Sequence, residues 1–98
     1  MDSKPFDAAK HITKADTAIA LLQDAVESQD PRLIAMALGD IARSNGMSDL
    51  ARKTGINRQA LYHAFGEEGN PTLSTLLATL NALGLKLELK SVQELADV

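Results

Sequence analysis

The stretch Met47-Ser-Asp-Leu-Ala-Arg-Lys-Thr-Gly-Ile-Asn-Arg-Gln-Ala-Leu-Tyr-His-Ala-Phe65 decides how this chain is read. It divides into two short helices. Ser48 is placed to cap the first, which runs to Thr54; Gly55 makes the turn; Asn57 caps the second, which reaches about Phe65. Two helices that cross steeply must approach closely, so the contact needs a small residue, and Ala51 supplies one. The reversal needs a residue that tolerates positive φ, and Gly55 supplies it. Leu50, Ile56 and Leu61 then fill the wedge between the helices. Leu50, Ala51, Gly55, Ile56 and Leu61 at these separations form the pattern of a helix-turn-helix, with the second helix centred over the segment that meets DNA.

Outward from this pair the chain reads as helices on both sides. Residues 1–12 form an arm in which Pro5 and Phe6 are available as anchors. Thr13 and Asp16 resemble a capping box. Behind them Ala15, Ala18, Ile19, Leu22, Ala25 and Val26 recur at helical spacing, predicting a helix that ends near Ser28. Asp30-Pro31 supplies a cap and a first-turn proline for the next helix, whose apolar stripe is Leu33, Ile34, Ala37, Leu38, Ile41 and Ala42. Asn45-Gly46 stops it. Gly66 to Pro71 reads as loop. Thr72 caps a last helix with Leu73, Leu76, Leu77, Leu80 and Leu83 on one face, ended by Gly84. The period then changes to two: Leu85, Leu87 and Leu89 alternate with Lys86, Glu88 and Lys90, predicting a strand over residues 85–90. A lone strand has no partner within the chain, so pairing with the same strand of a second copy is expected, giving a homodimer. The expected fold is all-α, one domain of five helices over residues 1–98 with a short C-terminal β-strand.

Composition narrows the function. The chain has 98 residues, 45% of them hydrophobic, and only three aromatics, so its core must be mainly aliphatic. It has no cysteine, which excludes a disulfide framework and thiolate metal sites. Neither a membrane-length apolar run nor a signal-peptide core is visible, so a cytoplasmic protein without membrane contact is expected. No metal-spaced His-Glu pair, phosphate-binding glycine loop or nucleophile elbow is present. The two histidines, His11 and His63, lie in the arm and the second helix of the pair. An enzyme is therefore not expected, and no cofactor is implied.

The formal charge is −3, yet its distribution is uneven. Residues 1–42 carry −3, residues 43–65 carry +3 through Arg43, Arg52, Lys53 and Arg58 against Asp49, and residues 66–98 carry −3. Screening confines exposed charges to a reach of about 8 Å at physiological salt, so a basic centre between acidic flanks can still sit on phosphates.

In a helix-turn-helix the second helix enters the major groove of double-stranded DNA, N-terminal part leading. Asn57, Arg58, Gln59, Tyr62 and His63 face away from the expected core. Arg58 can donate two bonds to guanine and Gln59 can pair with adenine. Tyr62 and His63 can reach a phosphate or a thymine methyl, while Asn57 has a competing role as cap. Ser48 with the backbone amides near it, and Arg43, Arg52 and Lys53, are candidates for phosphate contacts that position the protein. Arg52 and Lys53 fit a plain solvated face equally well, and Tyr62 fits a half-buried core position.

Several segments resemble the HigA-like addiction-module antidote proteins, the antitoxin half of bacterial toxin–antitoxin pairs, within the phage-repressor class of helix-turn-helix proteins. They are Pro5-Phe-Asp-Ala-Ala9, Leu38-Gly-Asp-Ile-Ala-Arg43, Gly46-Met-Ser48, the helix-turn-helix, Gly69-Asn-Pro-Thr72 and Leu80-Asn-Ala-Leu-Gly-Leu85. Together they span roughly residues 5–89. The resemblance implies a repressor-like fold and an antitoxin that neutralises a small basic RelE-like toxin. It also implies repression of the protein's own operon, as a dimer on palindromic operator DNA. This sequence departs from many relatives in carrying Asp49 where they have Gln, and His63 and Phe65 where they often have Lys and Leu. The acidic excess of the first half (Asp16, Asp24, Glu27, Asp30, Asp40) can complement a basic toxin, while each of these residues taken singly reads first as a solubilising or helix-capping charge. Two other readings share the DNA-binding pattern or the tail: a free-standing phage-repressor-like transcription regulator with no toxin partner, and a purely structural dimer.

Overall fold

The computed structural model describes residues 12–92. Five helices follow in order: α1 (Lys14–Ser28), α2 (Pro31–Asn45), α3 (Met47–Thr54), α4 (Arg58–Ala64) and α5 (Leu73–Ala82). The arm expected over residues 1–12 lies, apart from Ile12, outside the described residues.

The helix starts follow from side chains that satisfy otherwise orphaned amides. Thr13 Oγ1 accepts from the Asp16 amide at 3.0 Å, and the Thr13 amide donates back to the Asp16 carboxylate at 3.2 Å, a complete capping box on α1. Asp30 Oδ1 accepts from the Arg32 amide at 2.9 Å ahead of Pro31. Thr72 Oγ1 accepts from the Thr75 amide at 3.1 Å on α5. Only α3 departs from expectation. Ser48 is not its cap: the helix begins at Met47, with Gly46 in the cap position and no side-chain bond there. The single residue Gly46, at φ +102°, both ends α2 and begins α3, and burial of Met47 fixes where the chain turns.

One aliphatic core joins the elements. Leu38 and Ala42 from α2, Met47 and Leu50 from α3, Leu61 and Phe65 from α4 and its cap, and Leu80 from α5 form its buried centre. Helix α1 packs along α2, and α3 touches α2, α4 and α5. Because α1 packs chiefly on one neighbour, only its Ala18–Ala25 stripe is buried; Ile19 and Val26 are exposed, as are Leu33 on α2 and Leu73 and Leu77 on α5. The apolar stripes read from sequence are thus wider than the faces that are covered. Thr79, fully buried on α5, keeps a hydroxyl with no hydrogen-bond partner among the described residues.

The strand expected over residues 85–90 is absent; the described residues contain no strand. Among the described residues nothing offers it a ladder of backbone partners, and the segment runs on as irregular backbone. Leu85 packs against the core, whereas Leu87 is 55% and Leu89 98% exposed.

Gly39, in the middle of α2, is buried against the end of α4. A Cβ there would sit 2.8 Å from the Phe65 carbonyl oxygen and 3.1 Å from the Phe65 Cβ. Two effects oppose each other in Gly39→Ala. Helix propensity favours alanine by about 1 kcal/mol. Forcing a methyl against backbone costs about 1–3 kcal/mol. The steric cost wins, so Gly39→Ala should lower the thermal midpoint by several degrees; a raised midpoint would show that the α2–α4 contact yields freely.

Candidate nucleic-acid interface

Between α3 and α4 the chain turns through Gly55, Ile56 and Asn57. Gly55 sits in the left-handed region at φ +76°, and its amide donates to the Ala51 carbonyl at 2.9 Å. Thr54 Oγ1 donates back to the Leu50 carbonyl at 2.9 Å and accepts from the Ile56 amide at 3.1 Å, so the turn is clamped from within. Leu50 and Leu61 are buried between the helices, with Ala51 and Ile56 packed beside them. The two helices are separate and broken at Gly55, which is compatible with a helix-turn-helix.

The far end of α4 is gripped by two glycines. Gly39 approaches Phe65, and a Cβ at Gly69 would collide with the carbonyl oxygens of His63 and Ala64. Both segments, Leu38-Gly39 and Gly69-Asn70, belong to the stretches that carry the family resemblance, and their spacing is explained by this close backbone approach. Sequence reading missed these residues as determinants of the face; for Gly39 the available signal was an isolated glycine inside an otherwise apolar helical pattern.

Helix α4 turns its polar side chains outward. Arg58, Gln59, Tyr62 and His63 are all exposed, and the Arg58 guanidinium stacks 5.6 Å from the centre of the Tyr62 ring. That i, i+4 stacking is worth about 0.5–1 kcal/mol at an exposed site and narrows the directions Arg58 can point. Asn57 is held in its capping role, because Oδ1 accepts from the Gln59 amide at 2.7 Å and from the Ala60 amide at 3.2 Å.

The other cations of the basic centre do not stand alone. Arg43 on α2 pairs with Asp40 at 2.7 Å. On α3, Asp49 takes both Lys53, at 3.2 Å, and Arg52. The hydrogen bond from Lys53, together with the charges of Lys53 and Arg52, holds the Asp49 carboxyl below the usual carboxylate range despite partial desolvation. Of the four cations between residues 43 and 65, Arg58 alone has no carboxylate partner among the described residues. Ser48 is exposed one position inside α3, on the same short helix as Arg52 and Lys53.

Among the described residues no cluster of three or more histidine or acidic side chains is placed to hold a metal ion. A shallow, mostly apolar groove of about 330 Å³ runs between α1 and α2, lined in part by Ile12, Leu21 and Ile41. No described helix is long and apolar enough to cross a membrane.

Comparison with known proteins agrees with the sequence resemblance at the level of family. The family model described as "Probable addiction module antidote protein" matches residues 2–91. A protein of Haemophilus influenzae, itself uncharacterized, is 39% identical over 87 residues, covering 89% of this chain and 90% of the relative. No solved structure matches the chain. With a match that runs over nearly its whole length, the chain belongs to the family of probable addiction module antidote proteins.

Proposed function

We propose that the protein is the antitoxin of a toxin–antitoxin module, which neutralises a RelE-like toxin and represses its own operon as a dimer on operator DNA. The carrying observation is the outward face of α4. Arg58, Gln59, Tyr62 and His63 project from a short helix whose opposite side is locked into the core by Leu61 and whose end is held at Phe65. A rigid helix that presents an arginine with no carboxylate partner among the described residues, beside an amide side chain, suits reading of base edges. Arg43, Arg52, Lys53 and Ser48 flank it as positioning groups for phosphates.

Binding assays on the protein's own promoter test this reading. Arg58→Ala should cost about 1–3 kcal/mol and relax sequence preference, whereas Lys53→Ala should weaken all duplexes alike and flatten the salt slope. Undiminished operator binding by Arg58→Ala would remove α4 as the reading helix.

The exposed tail supports the dimer. Leu87 and Leu89 lie open on a segment of strict period two. In an antiparallel pairing centred on Leu87, Leu85 faces Leu89 and Lys86 faces Glu88 of the second copy, twice over. Centring on Glu88 would instead oppose Glu88 to itself and Lys86 to Lys90. Opposite charges favour the first register. Two copies so joined would present their α4 helices about 34 Å apart, one turn of B-DNA. Truncation after Gly84 should leave a monomer in sedimentation, and a persisting dimer would place the contact elsewhere.

The toxin surface is drawn from the acidic first half. Asp16 is used in a capping box, Asp30 as a cap with Arg32 at 3.7 Å, and Asp40 in its pair with Arg43. Asp24 and Glu27, exposed on α1, have no such engagement among the described residues and are the charges best available to a basic partner. Replacing both by Lys should weaken the complex with the candidate toxin of the same operon roughly tenfold, measured by titration calorimetry. Equal affinity would move the toxin surface off α1.

A further inference from the structure

The basic face that would meet DNA is partly neutralised from within. Asp49 occupies the first turn of α3, where a carboxylate also favours the helix dipole. It lies three residues before Arg52 and four before Lys53, so all three side chains share one side of the helix, and it binds both cations at once. Neither cation has a second carboxylate among the described residues. On the reading of this face as a DNA interface, we infer that Asp49 is an affinity-setting residue: its carboxylate competes with DNA phosphates for Arg52 and Lys53 and holds phosphate-driven binding down.

The physical basis is exchange. For either cation to reach a phosphate it must leave Asp49 or share itself, and sharing brings two anions together. Counterion release on binding then reflects fewer uncompensated positive charges than the sequence carries. Arg58, braced on Tyr62 and with no carboxylate partner among the described residues, is outside this competition. Asp49 therefore acts mainly on the sequence-independent part of the affinity, which lies in phosphate contacts, and leaves base reading to α4.

The test uses the full chain, operator DNA and a random duplex of equal length, titrated from low to moderate salt. Asp49→Asn should tighten binding to both duplexes by about threefold to tenfold, as expected for removing one charge about 6 Å from a phosphate at a partly solvated surface. The slope of log affinity against log salt should steepen by about one, the value for one added phosphate contact. Asp24→Asn changes net charge equally but lies on α1, in the surface proposed for the toxin; with no toxin in the titration it is the control and should leave both DNA-binding quantities unchanged. Asp49→Ser, with a hydroxyl suited to a first helical turn, serves the same purpose if the amide variant folds poorly. Unchanged affinity and slope for the Asp49 variants, with wild-type binding intact, would overturn the inference and leave the DNA reading standing. An equal gain from Asp24→Asn would also overturn it, because net charge alone would then explain the effect. Absence of binding by wild type and variants at every salt concentration would defeat the DNA reading itself, and this inference with it.

Discussion

The placement of the α4 face depends on one close approach, that of α2 to the end of α4 at Gly39. Phe65 is the largest fully buried side chain of the described residues, and its backbone lies against Gly39 with no room for a side chain between them. Phe65 is the C-terminal cap residue of α4, so the contact fixes the axial position of that helix. Leu61, one turn earlier and equally buried, fixes its rotation. A short helix of seven residues has little stability of its own, since the first turn of any helix is costly to form. Its order is borrowed from the core, and the outward direction of Arg58, Gln59, Tyr62 and His63 is a by-product of what Leu61 and Phe65 bury.

Legibility in the sequence followed the range of the interactions involved. Local ones were readable: the Thr13–Asp16 capping box, the caps at Asp30, Asn57 and Thr72, and the turn at Gly55 are each settled within a few residues of chain. The Ser48 cap failed by one position because Met47, buried against residues distant in sequence, fixed the helix start. Widths of apolar stripes were overestimated for a related reason. Period shows which side of a helix is apolar, but how much of it is covered depends on how many neighbours arrive, and α1 packs chiefly on one. The tail carries a pattern of alternation, yet a ladder needs a second strand that the described residues do not supply. Gly39 and Gly69 stood out only as parts of family-like segments, with no physical reason attached. For Gly39 that reason is a contact with Phe65, some twenty-five residues on, which no local window contains; for Gly69 it is a fold-back of the loop onto the carbonyls of His63 and Ala64, which depends on the path of the loop.

The electrostatic reading was legible in part. Counting charge by segment marks residues 43–65 as a basic centre, but counting assigns full value to every cation. Spacing of three and four residues on a helix already pairs Asp40 with Arg43 and Asp49 with Arg52 and Lys53. Surface pairs of this kind add little stability, usually well under 1 kcal/mol. They take up cation charge that a count by segment leaves whole, and Arg58, stacked on Tyr62, has no such carboxylate partner among the described residues.

The joint between α2 and α3 is a single residue, Gly46, held at both edges: its amide donates to the Ala42 carbonyl at 2.9 Å and its carbonyl accepts from the Leu50 amide at 3.1 Å. A hinge so short has no slack to absorb movement. Any body that leaned on the α1–α2 hairpin and tilted α2 would carry α3 along like the short arm of a lever, and with it the side chains beyond. The two helices are thus joined through one residue that is hydrogen-bonded into both of them.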